Sequence, residues 1–184
     1  IVLVILLILY IVYENHTRNK ELLKYAQTDA LTGLYNKETT EQLTDELLSE
    51  DENKSHAFLI LDVDCFKQIN DIYGHAVGDI VLQKFGKLLK GTFREGDILG
   101  RIGGDEFGVI MKNIQTKDIA MKKAGELLAK TQAYKIDELK GNNISISIGI
   151  STAPQDGDCY MDLYKRADQA LYQAKRSGKA RVCN

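Results

Sequence analysis

Two pairs of acidic residues in the middle of the chain have the composition of a metal site. Asp62 and Asp64 come at the end of an apolar run, residues 57–63, whereas Asp105 and Glu106 follow two glycines. A carboxylate at the end of a buried strand is costly unless it is paired or bound to a cation. Carboxylate oxygens without His or Cys suit a hard cation such as Mg²⁺, which in proteins also binds substrate phosphates. If the pairs meet, they predict a phosphoryl-transfer site in which two such ions assist one in-line displacement.

Each pair also has a simpler interpretation when it is taken alone. Asp62 at a strand end could cap the next turn, and Gly-Gly-Asp is typical of an exposed tight turn. We expect the strand and the hairpin that carries Asp105 to be neighbours in one sheet, because elements close in sequence usually lie side by side. Spacing alone leaves both alternatives open.

The apolar pattern predicts strands that alternate with helices around these residues. Apolar residues at steps of three and four indicate helices, and short apolar or alternating runs indicate strands. In the turn between the two hairpin strands, Gly103 and Gly104 are expected to supply a positive φ. The predicted order is a helix after the N-cap Asn36, a strand over 57–63, a helix over 77–93, hairpin strands over 97–102 and 107–111, a helix over 116–131, a strand over 143–152, and a last helix that buries Met161, Tyr164, Ala167, Leu171 and Ala174.

This order predicts the α/β class, as an α+β sandwich. Its central mixed sheet contains an antiparallel hairpin and is flanked by helices, which is close to the ferredoxin-like split βαβ arrangement. The two acidic pairs would then lie at one rim of that sheet.

The first residues form a separate unit. Residues 1–13 are all apolar or Tyr, which is shorter than the roughly 20 residues that span a bilayer. Since the chain begins with Ile, we interpret them as the end of a transmembrane helix, with a buried core element or a signal-peptide core as alternatives. The basic residues that follow predict a catalytic domain on the cytoplasmic side of the cell's inner membrane. Residues 14–28 are expected to form a helical connector, and residues 29–184 the catalytic domain.

Composition excludes several other classes of protein. The 184 residues carry a net charge of −2, so the chain is not a polybasic binder of nucleic-acid polymers. The chain has three cysteines, Cys65, Cys159 and Cys183, and no Cys-x-x-Cys motif. This odd number and wide spacing argue against a disulfide framework and a structural zinc site.

Residues 103–107 read Gly-Gly-Asp-Glu-Phe, and the chain therefore resembles the GGDEF family of diguanylate cyclases. Four further segments, 29–36, 61–79, 147–149 and 167–175, resemble family motifs in the same order. The likeness covers about residues 28–182 and implies a nucleotidyl-cyclase palm fold.

The resemblance implies that two GTP molecules, one on each domain of a homodimer, condense to cyclic di-GMP and two pyrophosphates. Asp62 and the Val63 carbonyl would hold Mg²⁺ (or Mn²⁺), with Asp105 as a further ligand. Asp105 or Glu106 would assist deprotonation of the ribose 3′-hydroxyl. We favour Asp105 as the base and Glu106 as a metal ligand.

The resemblance also assigns the substrate contacts. Asn70 and Asp79 would bind guanine, and Gly103 and Gly104 would let the backbone approach the nucleotide. Phosphates would be contacted by three lysines, Lys67, Lys175 and Lys179. For Lys175 a solvated helix face remains an alternative, and for Asn70 and Asp79 a capping role does. Lys179-Ala180 stands where the family usually has Arg-Asn, which puts the phosphate contact there in question.

Arg94 and Asp97 fit the family's Arg-x-x-Asp motif, which implies a site for inhibition by the product. The alternative is a surface salt bridge in a turn. Two other functions stay open beside an active cyclase: a catalytically silent receptor for cyclic di-GMP, and a cyclase that makes another cyclic dinucleotide.

Overall fold

The computed structural model describes residues 10–14, 18, 26–50 and 54–184. Its helices are α1 (Lys37–Glu50), α2 (Phe66–Tyr73), α3 (His75–Lys90), α4 (Lys117–Ala133) and α5 (Tyr160–Arg176), with a 3-10 turn at Asp137–Leu139. Its strands are β1 (His56–Val63), β2 (Ile98–Arg101), β3 (Glu106–Met111), β4 (Ile146–Ala153) and β5 (Val182–Cys183).

The five strands form one mixed sheet in the order β2-β3-β1-β4-β5. β1 is central and pairs antiparallel with both β3 and β4. β2 and β3 form the predicted antiparallel hairpin, whereas β4 and β5 are parallel. The predicted fold class is therefore confirmed.

The two faces of the sheet are covered by different helices. Alternate side chains of β1 point to opposite faces, which divides its apolar residues between two cores. Leu59 and Leu61 pack with α3 and α4, where Phe85 of α3 meets Phe107 edge to face. Phe58 and Ile60 pack on the other face with α1 and α5. Asp62 continues this second series, so it points to the side of the sheet that α5 covers.

Glycines allow two helices to lie very close to the sheet. A Cβ at Gly149 of β4 would come within 2.0 Å of the Ala167 carbonyl oxygen in α5. A Cβ at Gly100 of β2 would come within 2.0 Å of the Thr40 hydroxyl in α1. The sheet surface is thus flat where α5 crosses β4, and this contact fixes the helix that carries Lys175.

Three expectations about local structure are wrong or incomplete. Met161 does not belong to the buried face of α5, since it is 49% exposed. Helix α2 was not expected as a separate element, because it is only 8 residues long and is separated from α3 by Gly74 alone, at φ 84°. The two-residue strand β5 is too short to leave a periodic pattern.

Little of the predicted N-terminal unit falls within the described residues. Residues 10–14 are helical and exposed. The remainder of the predicted membrane segment, and most of the connector over 14–28, lie outside the described residues. Within the described part of the chain, no helix has the length and apolar composition needed to cross a membrane.

Candidate active site

The two acidic pairs do meet at one end of the sheet. Asp62 of β1 stands directly opposite Glu106 of β3 in the antiparallel register, so their side chains share a face. The Val63 N–H donates to the carbonyl oxygen of Asp105 at 3.2 Å, which joins the end of β1 to the hairpin turn. The two pairs therefore lie at one rim of the sheet, as the predicted neighbourhood of the strand and the hairpin requires.

Lys175 reaches this rim from α5. Its Nζ lies 2.6 Å from Oδ2 of Asp62. Burial raises the pKa of Asp62, and the negative charges of Asp105 and Glu106 add to this rise, although the Lys175 ammonium opposes it. Lys175 thus belongs to the site and not to a solvated helix face.

This group of residues fits a hard cation. Asp62 already binds a positive charge, the Lys175 ammonium, and two further acidic residues lie close enough to act on its pKa. The donors are carboxylate oxygens and a strand-end carbonyl, without sulfur or imidazole, which is the ligand chemistry of Mg²⁺. Asp62, Val63, Asp105 and Glu106 could hold such an ion.

Arg101, which was not among the residues predicted from the sequence, supports the hairpin turn through hydrogen bonds. Its Nη2 and Nε donate to the Gly104 carbonyl at 2.7 and 3.1 Å, and its Nη1 lies 3.2 Å from both carboxylate oxygens of Asp29. The hairpin turn is therefore tied to the segment that enters the domain. The available signal was an Arg two residues before the paired glycines.

Gly103 and Gly104 were expected to supply a positive φ to the turn, and that expectation is wrong. Neither Gly103 nor Gly104 has a positive φ. A Cβ at Gly103 would lie 2.8 Å from Oε2 of Glu106, so glycine leaves room for that carboxylate. A Cβ at Gly104 would meet no atom within 4 Å. That open side is compatible with a nucleotide lying against the backbone.

The expected guanine-binding residues lie together at the α2–α3 junction. Oδ1 of Asn70 would be only 1.9 Å from a Cβ at Gly78, so the amide packs on the backbone next to Asp79. Asp79 is exposed, and Lys67 lies one helical turn before Asn70 on the same side of α2. α2 begins three residues after β1, so the chain passes from the carboxylate end of β1 into the helix that carries Lys67 and Asn70.

Lys179 approaches the site from the C-terminal turn. Its Nζ lies 3.0 Å from Sγ of Cys65, and this contact, together with the charges of Asp64 and Asp62, raises the lysine's pKa. Asp64 itself does not extend the metal site. Its carboxylate accepts hydrogen bonds from Ser145, Ser147 and the Ala180 N–H.

A family model described as "Diguanylate cyclase, GGDEF domain" matches residues 26–181. The chain belongs to the GGDEF family. Diguanylate cyclase A of Treponema denticola is 37% identical over 171 residues, which are 89% of this chain and 46% of that protein. Response regulator PleD of Caulobacter vibrioides is 36% identical over 177 residues, 92% of this chain and 39% of PleD. The chain thus spans less than half the length of these two curated relatives.

Solved structures of the family share this fold. The isolated GGDEF domain of TpbB from Pseudomonas aeruginosa has a TM-score of 0.80 at 34% identity, covering 85% of this chain and 92% of that one. The coiled coil and GGDEF domain of DgcB from Caulobacter crescentus, in complex with c-di-GMP, has a TM-score of 0.85 at 24% identity, covering 94% and 92%.

In this GGDEF domain, Arg94 and Asp97 have different environments. The Asp97 side chain is buried, and its carboxylate accepts from the backbone N–H groups of Arg94 and Lys112, both at 3.1 Å. The Arg94 side chain is 64% exposed and reaches Asp97 at 3.3 Å and the Lys112 carbonyl at 2.7 Å. Arg94 also lines an open cleft of about 620 Å³ with Tyr35 and Lys90. Asp97 is thus mainly a structural residue of the loop, while Arg94 faces solvent.

Proposed function

We propose that this GGDEF domain is a diguanylate cyclase that converts two GTP molecules to cyclic di-GMP and two pyrophosphates. The observation that carries the proposal is the cross-strand pairing of Asp62 with Glu106, beside the Asp105 turn and 2.6 Å from the Lys175 ammonium. The name of one relative, Diguanylate cyclase A of Treponema denticola, supports the same activity.

In the proposed reaction, the 3′-hydroxyl oxygen of one GTP attacks the α-phosphorus of the other, and pyrophosphate leaves. Asp105 accepts the hydroxyl proton. Asp62, the Val63 carbonyl and Glu106 hold Mg²⁺ or Mn²⁺, which when bound supplies positive charge to the phosphoryl group. A second, symmetric attack closes the ring and releases the second pyrophosphate.

The other polar residues select and orient GTP. Asp79 accepts hydrogen bonds from the N1–H and amino group of guanine, a donor pair that adenine lacks, and Asn70 binds the same base. Asp79 is exposed in the free domain and is covered by the bound base, where an acceptor left unpaired costs about 1–3 kcal/mol, so ATP is disfavoured. Lys67, Lys175 and Lys179 contact the triphosphate.

One domain binds one GTP, and catalysis therefore needs two domains face to face. We propose a homodimer brought together through the residues that precede the domain, with anchoring in the membrane through the apolar residues 1–13. We also propose that cyclic di-GMP inhibits the enzyme by binding at Arg94.

The test is to incubate the purified chain with GTP and Mg²⁺ and to identify the products by mass. We expect cyclic di-GMP from the unchanged protein, none from Asp105→Ala, and a normal yield from Asp168→Ala, which removes an exposed acid of α5. The rate per molecule should rise with protein concentration. Fusing a dimerising helix to the chain makes product formation independent of spontaneous dimerisation. If this fusion binds cyclic di-GMP but makes none, the chain is a receptor and not a cyclase.

A further inference from the structure

Asp64 is a buried carboxylate whose hydrogen bonds are all made within the protein. Oδ1 accepts from the Ser147 hydroxyl at 2.7 Å, and Oδ2 accepts from the Ser145 hydroxyl at 2.5 Å and from the Ala180 N–H at 3.2 Å. The residue is 7% exposed. Burial of a carboxylate without a cationic partner is costly, and these three donors offset that cost. Asp64 therefore binds the end of the chain to β1 and β4.

The segment that Asp64 holds has an unfavourable backbone conformation. Lys179 has φ 60° and Ala180 has φ 50°, which is the left-handed region that side-chain-bearing residues avoid. Such a conformation persists only where the surroundings fix it. The Lys179 N–H donates to the Ala174 carbonyl and the Arg181 carbonyl accepts from Ile148, so this turn is fixed at both ends. Asp64 fixes its middle.

This turn determines where the Lys179 ammonium lies. The Nζ is 3.0 Å from Sγ of Cys65, the residue that follows Asp64 at the end of β1. The charges of Asp64 and Asp62 both act on this ammonium. Lys179 is exposed, so it can contact a ligand at the carboxylate rim.

We propose that Asp64 is a positioning residue that places Lys179 at the triphosphate side of the nucleotide site, and that it is not a metal ligand. The inference rests on the proposed function, because the triphosphate is that of GTP. It assigns different roles to the two acids of Asp62-Val63-Asp64. Asp62 binds the cation, whereas Asp64 holds the turn that positions Lys179.

Asp64→Asn tests the proposal because it keeps the shape of the side chain but removes its charge and one acceptor oxygen. The probe is 3′-deoxy-GTP with Mg²⁺, which lacks the attacking hydroxyl and so binds without turnover. We expect its dissociation constant to rise about tenfold, the effect of losing one charge-assisted contact. Binding of GMP, which has no triphosphate, should stay within about twofold of the unchanged protein. In turnover, the half-saturating GTP concentration should rise while kcat changes little.

A double-mutant cycle with Lys179→Ala tests whether Asp64 acts through the lysine. If it does, Asp64→Asn should add nothing once Lys179 has been replaced, so that the double variant binds 3′-deoxy-GTP like Lys179→Ala alone. The Mg²⁺ concentration for half-maximal binding should shift in Asp62→Asn but not in Asp64→Asn. Ser145→Ala, which removes the hydroxyl that shares Oδ2 with Ala180, should weaken binding in the same direction and serves if Asp64→Asn does not fold.

Three results would overturn the inference. They are unchanged binding of 3′-deoxy-GTP by Asp64→Asn, additive effects in the cycle with Lys179→Ala, and a Mg²⁺ requirement shifted as in Asp62→Asn. If the unchanged chain does not bind 3′-deoxy-GTP at all, the proposed function fails together with the inference. If it binds the probe and makes cyclic di-GMP, a failure of the variants counts against the inference alone.

Discussion

Asp62 stands where burial and neighbouring negative charge both oppose its ionisation. Its pKa is raised by burial first and by Asp105 and Glu106 in addition, against the pull of Lys175. A folded-state pKa above the unfolded value means that stability is lost as the pH rises through the folded pKa. An ionised Asp62 therefore lowers stability at neutral pH, as is common for residues that serve a site.

We expect Asp62→Asn to stabilise the metal-free protein at pH 7 by about 1 kcal/mol. The gain should shrink as the pH falls and Asp62 becomes protonated. Added Mg²⁺ should raise the melting temperature of the unchanged protein but not of the variant, because only the former binds the ion. Thermal melts between pH 4 and 8, with EDTA or Mg²⁺, measure both effects. Asp168→Asn makes the same charge change at an exposed position and should show neither. A less stable Asp62→Asn would contradict this account.

Ala180 adopts φ 50°, a conformation that Asn tolerates better than Ala. We expect Ala180→Asn to raise the free energy of unfolding by about 0.5 kcal/mol, and Ala180→Val, with a branched Cβ, to lower it by about 1 kcal/mol or more. Urea denaturation of the three proteins measures the order Asn, Ala, Val. A Val variant as stable as the unchanged protein would mean that this turn is not left-handed in solution.

At the scale of single residues, the residue types that carry the chemistry could be predicted from the sequence, whereas most of their contacts could not. Asp62 could be found because a carboxylate at the end of a buried strand is costly, and Asp105 and Glu106 because residues 103–107 match the family motif. Asp64 looks the same as Asp62 in the sequence, and only the register of β4, which brings Ser145 and Ser147 to it, distinguishes the two. The side-chain position of Glu106, and so the steric role of Gly103, also depends on the folded hairpin.

At the scale of elements, the contact of α5 with β4 positions Lys175 against Asp62. We expect Gly149→Ala to lower the free energy of unfolding by about 3 kcal/mol, because a Cβ 2.0 Å from the Ala167 carbonyl forces the helix away. Cyclase activity should fall with it, since Lys175 moves with α5. Gly125→Ala is the matched control: no atom lies within 4 Å of a Cβ there, and Ala in the middle of α4 should stabilise by about 1 kcal/mol without changing activity. Urea denaturation and product formation measure both variants, and equal stabilities for the two would contradict the close packing.

The elements themselves were largely predictable, since β1, β3, β4 and the long helices have clear apolar periods. The short ones were not. Helix α2 occupies 8 residues, and its apolar positions Phe66, Ile69 and Tyr73 are only partly buried against the core, so its stripe covers just two turns. Met161 fits the helical spacing, but Tyr160 and Leu163 take the buried positions of the first turn of α5, and Met161 between them is exposed.

At the scale of the whole molecule, the loop before β2 combines the proposed site for cyclic di-GMP with contacts that stabilise the fold. Asp97 is buried and accepts from two backbone N–H groups, whereas Arg94 is mostly exposed beside the open cleft. The two residues of the Arg-x-x-Asp motif are therefore not equivalent. Removal of Asp97 leaves buried donors unpaired, whereas removal of Arg94 loses an exposed ion pair and an exposed hydrogen bond to the Lys112 carbonyl.

We accordingly expect Arg94→Ala to relieve inhibition by cyclic di-GMP while changing stability by less than about 1 kcal/mol. Asp97→Ala should lower the free energy of unfolding by about 2 kcal/mol or more. A loss of inhibition in that variant would therefore not be separable from a loss of folded protein. The measurement is the initial rate of pyrophosphate release against added cyclic di-GMP, with a urea denaturation curve for each variant. Lys165→Ala is the control, because it removes an equally exposed cation that pairs with Asp162 three residues earlier on α5 and does not line the cleft of Arg94. If Arg94→Ala keeps the inhibition of the unchanged protein, Arg94 serves only the loop, and the ion pair with Asp97 is its whole role.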